Sequence, residues 1–210
     1  WPVPRIIPRK KDREEVVNIA YAGRIGNRNI DNSLQASNSK KSLSGFNFKV
    51  IDKHRWHDMS DVDILVAIRD FSKRTYQDKP PSKLLNAWHA GIPLIAGYDS
   101  SYSSLGIPGV DYIRVRTKTQ LSEALERLRD DPEFYNSIVE AGYKKSLEYT
   151  REKLAQTWLT AIDGPIFKDW EASQTQKQNF SLSHVVSHSI DQTVNTLSAA
   201  KSRIQKVYTD

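Results

Sequence analysis

The chain has 210 residues, enough for one hydrophobic core with an appendage, and it contains no cysteine, which excludes disulfides and thiolate chemistry. Its formal net charge of +6 fits anionic partners such as nucleotides and phosphates. No apolar run approaches the ~20 residues that a membrane-spanning helix needs, and no signal-type pattern opens the chain; a cytoplasmic address is the default expectation.

The opening "WPVPRIIPRKKD" holds three prolines in eight residues and reads as an extended interdomain linker over 1–15. Within it, Arg9, Lys10, Lys11 and Arg13 form a small basic cluster, read as solvated. A chain that starts this way, without Met, looks like the second half of a larger protein. Residues 16–23, "VVNIAYAG", form an apolar run that ends in glycine, the pattern of a buried strand and a tight turn. A polar stretch with a short, weak helix at 31–41 follows. "FNFKVID", 46–52, alternates as a second strand, and "VDILVAI", 62–68, is the continuous aliphatic run of a central parallel strand. "RDFSKRTYQDKPP" is a polar loop at the end of that strand. A helix is expected over 82–90, strands over 92–96 and 110–117, and then helices broken near Asp131-Pro132, at Gly142 and near Thr150. Strands that alternate with helices give an α/β, Rossmann-like domain with a mostly parallel sheet over 16–163. In such sheets ligands bind beyond the carboxyl ends of the strands, so the loops that begin at Gly23, Arg69 and Gly97 are the ones to watch.

The polar segment after Pro165 and the stripe Leu182, Val186, Ile190, Val194, Leu197, Ile204 and Val207 read as a helical C-terminal extension over 164–210. Its apolar face must pack on the domain itself, on a partner or on another copy through 181–207.

"KPPSKLLNAWHAGIPLIAGY", Lys79 to Tyr98, is the most informative stretch. Pro80 and Pro81 forbid an earlier helix start, Ser82 can cap the first turn, and Leu84, Leu85 and Trp88 form an inward face. Gly91 can adopt the left-handed conformation that ends a helix, and Pro93 prevents its continuation. Packing and termination do not account for Lys79, Ser82 and Lys83. Backbone N–H groups and the macrodipole already favour an anion at a helix start, and two lysines there reinforce the same sign.

The order of elements, "LLNAWHAGIPLIAG", and "GVDYIRV" followed by "TQLSEALERLRDDPEFYNSIVEAG" resemble the C-terminal, nucleotide-sugar-binding half of GT-B glycosyltransferases, in particular retaining, group 1/4-like members. The resemblance covers about 16–163 and implies the C-terminal half of a GT-B fold. It implies transfer of a sugar from a nucleoside-diphosphate sugar to an unknown acceptor, which would lie mainly on a preceding N-terminal domain. Carried over residue by residue, it places Arg24 and Lys83 as catalytic cations against the donor diphosphate. Lys79, Ser82, Asn86, Arg69, Asp99 and Tyr102 would be donor-binding, with Asp99 to Tyr102 bordering the base pocket. Such enzymes are expected to stabilise the departing phosphate with cationic side chains and helix dipoles; neither cofactor nor metal is expected. Two departures stand out. Asn86 occupies the position of the second acidic residue of the pattern, the first falling near Asp78, and the lysine expected in the first loop falls near Arg28 or Asn29. Asn86 and the missing domain keep a second reading open: a non-catalytic binding or assembly module that uses its tail helix for oligomerisation or partner recruitment.

Other clusters have plainer explanations. His184, His188 and Asp191 share one helix face but lack further ligands. His54 and His57 flank Trp56 in a turn, and His89 suits the C-terminal end of its helix. "DVD", 61–63, spells a metal motif but leads into the central strand. No recognition motif accompanies the net positive charge, so nucleic acid is not an expected partner.

Overall fold

The computed structural model describes residues 5–23, 45–69, 71, 76, 79–98, 100–177 and 194–202. The chain forms two compact units, Trp1–Tyr149 and Thr150–Asp210.

The first unit is built on five short strands: β1 (Asn18–Tyr21), β2 (Asn47–Val50), β3 (Ile64–Ala67), β4 (Leu94–Ala96) and β5 (Ile113–Arg114). They pair in the order β2-β1-β3-β4-β5, and every pairing is parallel. The α/β, Rossmann-like parallel sheet expected from the sequence is therefore what forms. Successive residues of β3 face opposite sides, as the pleat requires. Leu65 and Ala67 join Ala20, Leu94 and Ala96 under the helix α1 (Ser82–Ala90). Ile64, Val66 and Ile68 join Ile19, Ile95 and Val115 on the other face, covered by Leu121, Leu125 and Leu128 of α3 (Lys118–Asp130) and Tyr135 of α4 (Pro132–Ser146). Burial on both faces explains why this strand reads as an unbroken aliphatic run. A short helix, α2 (Ser100–Leu105), lies between β4 and β5.

Local chemistry sets the helix ends. Asp131 accepts from the Phe134 N–H and Pro132 occupies the first helical position of α4, so α3 and α4 separate at the expected Asp131-Pro132 step. Gly91 ends α1 at φ 67°, ψ 41°, with its N–H bonded to the carbonyls of Ala87 and Trp88. Gly142 does not break a helix, contrary to the sequence expectation; α4 runs through it to Ser146. A Cβ at this position would lie 2.4 Å from Trp88 Cδ1. The glycine is there to let α4 close onto the indole of α1.

The opening segment also differs from a solvated linker. Ile7 bridges Asp58, its N–H donating to the His57 carbonyl and its carbonyl accepting from Met59 N–H. Arg9 and Lys10 donate backbone N–H groups to Ala90 and Ser60. The Arg9 and Arg13 side chains converge on Asp63, which is fully buried at the start of β3. Asp63 also accepts from the backbone N–H groups of Val17 and Asn18 at 3.1 and 2.8 Å, so it stitches the incoming chain to the amino end of the sheet.

In the second unit, α5 (Arg151–Ala161) is capped by Thr150 and leads through a π-type segment, Ile162–Ile166, into α6 (Phe167–Lys177). Gly164 leaves helical geometry there, at φ −101°, ψ −105°, ahead of Pro165. A helix, α7, covers 194–202, and Lys201 pairs with Asp163. The expected weak helix at 31–41 and the His184, His188 and Asp191 face lie outside the described residues, as does most of the 181–207 stripe. Among the described residues, no helix is long and apolar enough to cross a membrane.

Candidate functional site

All five strands run the same way, so their carboxyl ends share one edge, and the helix that follows β3 begins at that edge. The strand order reverses between β1 and β3, with β2 on one side and β3 on the other. A reversal of this kind leaves a crevice in which α/β domains hold their ligands. The helix start singled out in the sequence lies on this edge.

The start of α1 is built as foreseen, with one correction. Pro81, not Ser82, is the N-cap residue; its φ of −78° is set by the ring, and it leaves the first turn with no side-chain cap. Ser82 is then the first helical residue, one step too late to cap. No acidic residue occupies the first turn. The positive end of the helix is therefore neutralised neither by a cap nor by a carboxylate of that turn. Lys83 leans across to β1: its Nζ lies 5.8 Å from the centre of the Tyr21 ring, within cation–π range. The Tyr21 ring also folds back on Gly23, where a Cβ would meet its Cζ at 2.6 Å. One tyrosine thus joins the end of β1, the glycine turn after it and the cation of α1.

The remaining predicted residues are distributed as follows. Arg69 is half-buried at the end of β3, its guanidinium 5.2 Å from the centre of the Tyr76 ring. Lys79 is exposed just before α1, and its N–H donates to the Tyr76 carbonyl. Asn86 lies one turn into α1 and is only 3% exposed. Tyr102 belongs to the core beneath α2, where its ring meets Tyr112 edge to face at 6.4 Å; packing accounts for it. Arg24 and Asp99 lie outside the described residues. Lys83, Ser82, Arg69 and Lys79 are thus all on chain that begins or ends at the carboxyl edge.

Sequence reasoning missed a second cationic group on the same edge. Tyr98 follows β4, and the guanidiniums of Arg114 and Arg116 lie 4.7 and 4.6 Å from the centre of its ring. Arg116 Nη2 also donates to the Tyr98 hydroxyl at 2.7 Å. The signal was present in "YIRVRT": alternation in a strand puts both arginines on the face opposite Ile113 and Val115.

The other titratable candidates serve the scaffold. His54 sits in a turn (Lys53–Arg55) capped by Asp52, and the His57 carbonyl accepts from Ile7. His89 Nε2 is 3.2 Å from the Tyr149 carbonyl, and burial pushes its pKa down. Of the "DVD" carboxylates, Asp61 pairs with Lys49 and Asp63 is held by the two arginines.

A model of the family described as glycosyl transferase-like matches residues 48–160, just over half of the chain. The chain belongs to this glycosyl transferase-like family. The matched region runs from β2 into α5 and includes α1, Tyr98, Arg114 and Arg116. No curated protein matches the chain. Among solved structures, this glycosyl transferase-like chain is similar to HepE of Anabaena in complex with UDP and glucose. The identity is 13% and the TM-score 0.46, over 62% of this chain and 35% of that one. The UDP-glucose complex of the same protein gives the same values. The C-terminal domain of the group 1 glycosyl transferase LpcC from Francisella tularensis is 13% identical, with a TM-score of 0.47, over 71% of this chain and 95% of that domain. The chain therefore spans about a third of the length of the Anabaena protein.

Proposed function

We propose that this chain is the donor-binding part of a glycosyltransferase, holding a nucleoside-diphosphate sugar at the carboxyl edge of the sheet. The observation that carries the reading is the uncapped start of α1 with Lys83 turned towards β1, at the reversal of strand order. In glycosyl transfer the bond from the anomeric carbon to the diphosphate breaks, and negative charge develops on the departing phosphate. A fixed helix start and a nearby ammonium stabilise that charge without reorganising. Ser82 and Lys79 add a hydroxyl and a second cation on the approach to α1, and Arg69 a guanidinium at the end of β3; Arg24, next in sequence after Gly23, is a further candidate cation. Asn86 offers an amide where a carboxylate would contact ribose or sugar, and Asp99 follows Tyr98 in the sequence; Tyr102, buried in the core, drops out of the site.

Calorimetric titration with UDP, GDP and their sugars tests the reading; binding of at least one is expected. Lys83→Ala should weaken that binding about ten- to hundred-fold, the equivalent of one charged hydrogen bond of roughly 1.5–3 kcal/mol. A folded protein that binds none of them would refute the donor site, and an unchanged affinity in the variant would remove Lys83 from it. Asn86, an amide where the resembled pattern has an acidic residue, favours a second reading, a non-catalytic binding or assembly module that uses its tail helix for oligomerisation or partner recruitment. Mass in solution with and without 181–210 would show whether such a module assembles through its tail.

A further inference from the structure

Arg114, at the end of β5, is placed by sheet register, and Arg116 follows two residues beyond it. β4 and β5 pair Ala96 with Arg114, so two residues further on Tyr98 and Arg116 stand side by side, on the same face as α1. Ala96 has too little side chain to fill the space opposite it, which leaves Arg114 room to reach Tyr98. Two guanidiniums then share one ring, at 4.7 and 4.6 Å. Among the described residues no carboxylate pairs with either arginine, whereas Arg9, Arg13, Arg55, Arg127 and Arg129 all have one. Arg114 is half-buried and Arg116 exposed, so the group is open to a ligand.

This group lies at the ends of β4 and β5, whereas Lys83 reaches towards Tyr21 of β1; β5 lies three strand spacings from β1, roughly 14 Å at ~4.8 Å per spacing. We propose that Tyr98, Arg114 and Arg116 form a second anion subsite, which receives a carboxylate or phosphate borne by a sugar. The inference rests on the donor reading above for the direction in which the ligand lies. A guanidinium suits this role because its planar fork binds both oxygens of such a group at once. The acidic sugar is either the one carried by the donor or a phosphorylated acceptor.

The test uses the full chain and three pairs of probes: UDP-glucuronate against UDP-glucose, GDP-mannuronate against GDP-mannose, and glucose 6-phosphate against glucose with UDP or GDP present. In one arm the acidic member should bind about tenfold or more tightly than the neutral one. Arg114→Gln with Arg116→Gln should erase that preference and leave the affinity for UDP and GDP unchanged; Arg116→Gln alone, at an exposed position, should reduce it. A preference in a nucleotide-sugar arm assigns the group to the donor, and one in the sugar-phosphate arm assigns it to the acceptor. No preference in any arm, or one that survives the double substitution, overturns the proposal. So does a loss of plain nucleotide affinity, which would put the arginines on the donor diphosphate. If neither nucleotide binds, glucose 6-phosphate against glucose decides alone. An arginine-dependent preference then keeps the subsite while the donor reading falls; without it, both fall.

Discussion

Asp63→Asn tests the anchoring of the opening segment most directly. Asp63 is fully buried and accepts five hydrogen bonds: Arg9 Nε at 2.8 Å, Arg13 Nε and Nη2 at 2.9 and 2.7 Å, and the N–H groups of Val17 and Asn18. Asparagine keeps one acceptor but turns an NH2 towards donors, and it strands two guanidiniums beside a buried neutral group. Breaking a buried ion pair from one side costs about 3–5 kcal/mol. For a chain of this size that corresponds to a Tm lower by roughly 6–20 °C. The pH dependence follows from the same contacts. Burial alone pushes the Asp63 pKa up, but the guanidiniums and backbone donors together outweigh it and hold it below the usual value. A carboxyl depressed in the fold gives stability that is complete above its unfolded pKa of about 3.9 and is lost as pH falls through the folded value. Wild type should therefore lose stability below about pH 4 more steeply than Asp63→Asn. Thermal unfolding of both proteins between pH 3 and 7 provides the assay. A variant within ~1 kcal/mol of wild type at pH 7, or acid profiles of equal slope, would refute the anchoring role.

Gly142→Ala should destabilise by about 1–3 kcal/mol, because the new methyl meets the Trp88 ring inside a packed helix contact; equilibrium denaturation measures it, and a neutral result would mean that α4 can move off α1. Gly91→Ala meets no atom within 4 Å yet carries φ +67°, so its cost should be about 1–2 kcal/mol, from backbone strain alone. Asp111 is buried, and burial raises its pKa despite the Ile107 N–H and the Lys145 charge. A carboxyl raised in the fold loses stability as pH climbs from about 3.9 through its folded value. Asp111→Asn should therefore gain on wild type between pH 4 and 7; a pH-independent difference in unfolding free energy would contradict this.

The sheet and α1 were legible because both are written in local terms. Ile64 to Ala67 have no polar alternative, and Pro81, Gly91 and Pro93 bound α1 whatever lies around it. Gly142 was misread for the opposite reason: its cause is an indole more than fifty residues away, which no local pattern reports. Arg9 and Arg13 looked solvated for the same reason, since Asp63 stands fifty residues further on. Lys83 was visible as an excess of charge at a helix start. Arg114 and Arg116 were not, because their partner Tyr98 is brought to them only by the β4–β5 register. Ser82 was misplaced by a single residue, the difference between a cap and a first turn.

Tyr21 gives the carboxyl edge a property beyond its contacts. Tyr21 is only 7% exposed, its ring against the Gly23 backbone and 5.8 Å from the Lys83 ammonium. It therefore sets an aromatic surface on one side of the cation, where the local dielectric is lower than in open solvent. The ammonium is felt more strongly by whatever anion approaches from the open side than a lysine surrounded by solvent would be. A smaller residue at position 21 would admit water there, weakening the attraction without touching the charge.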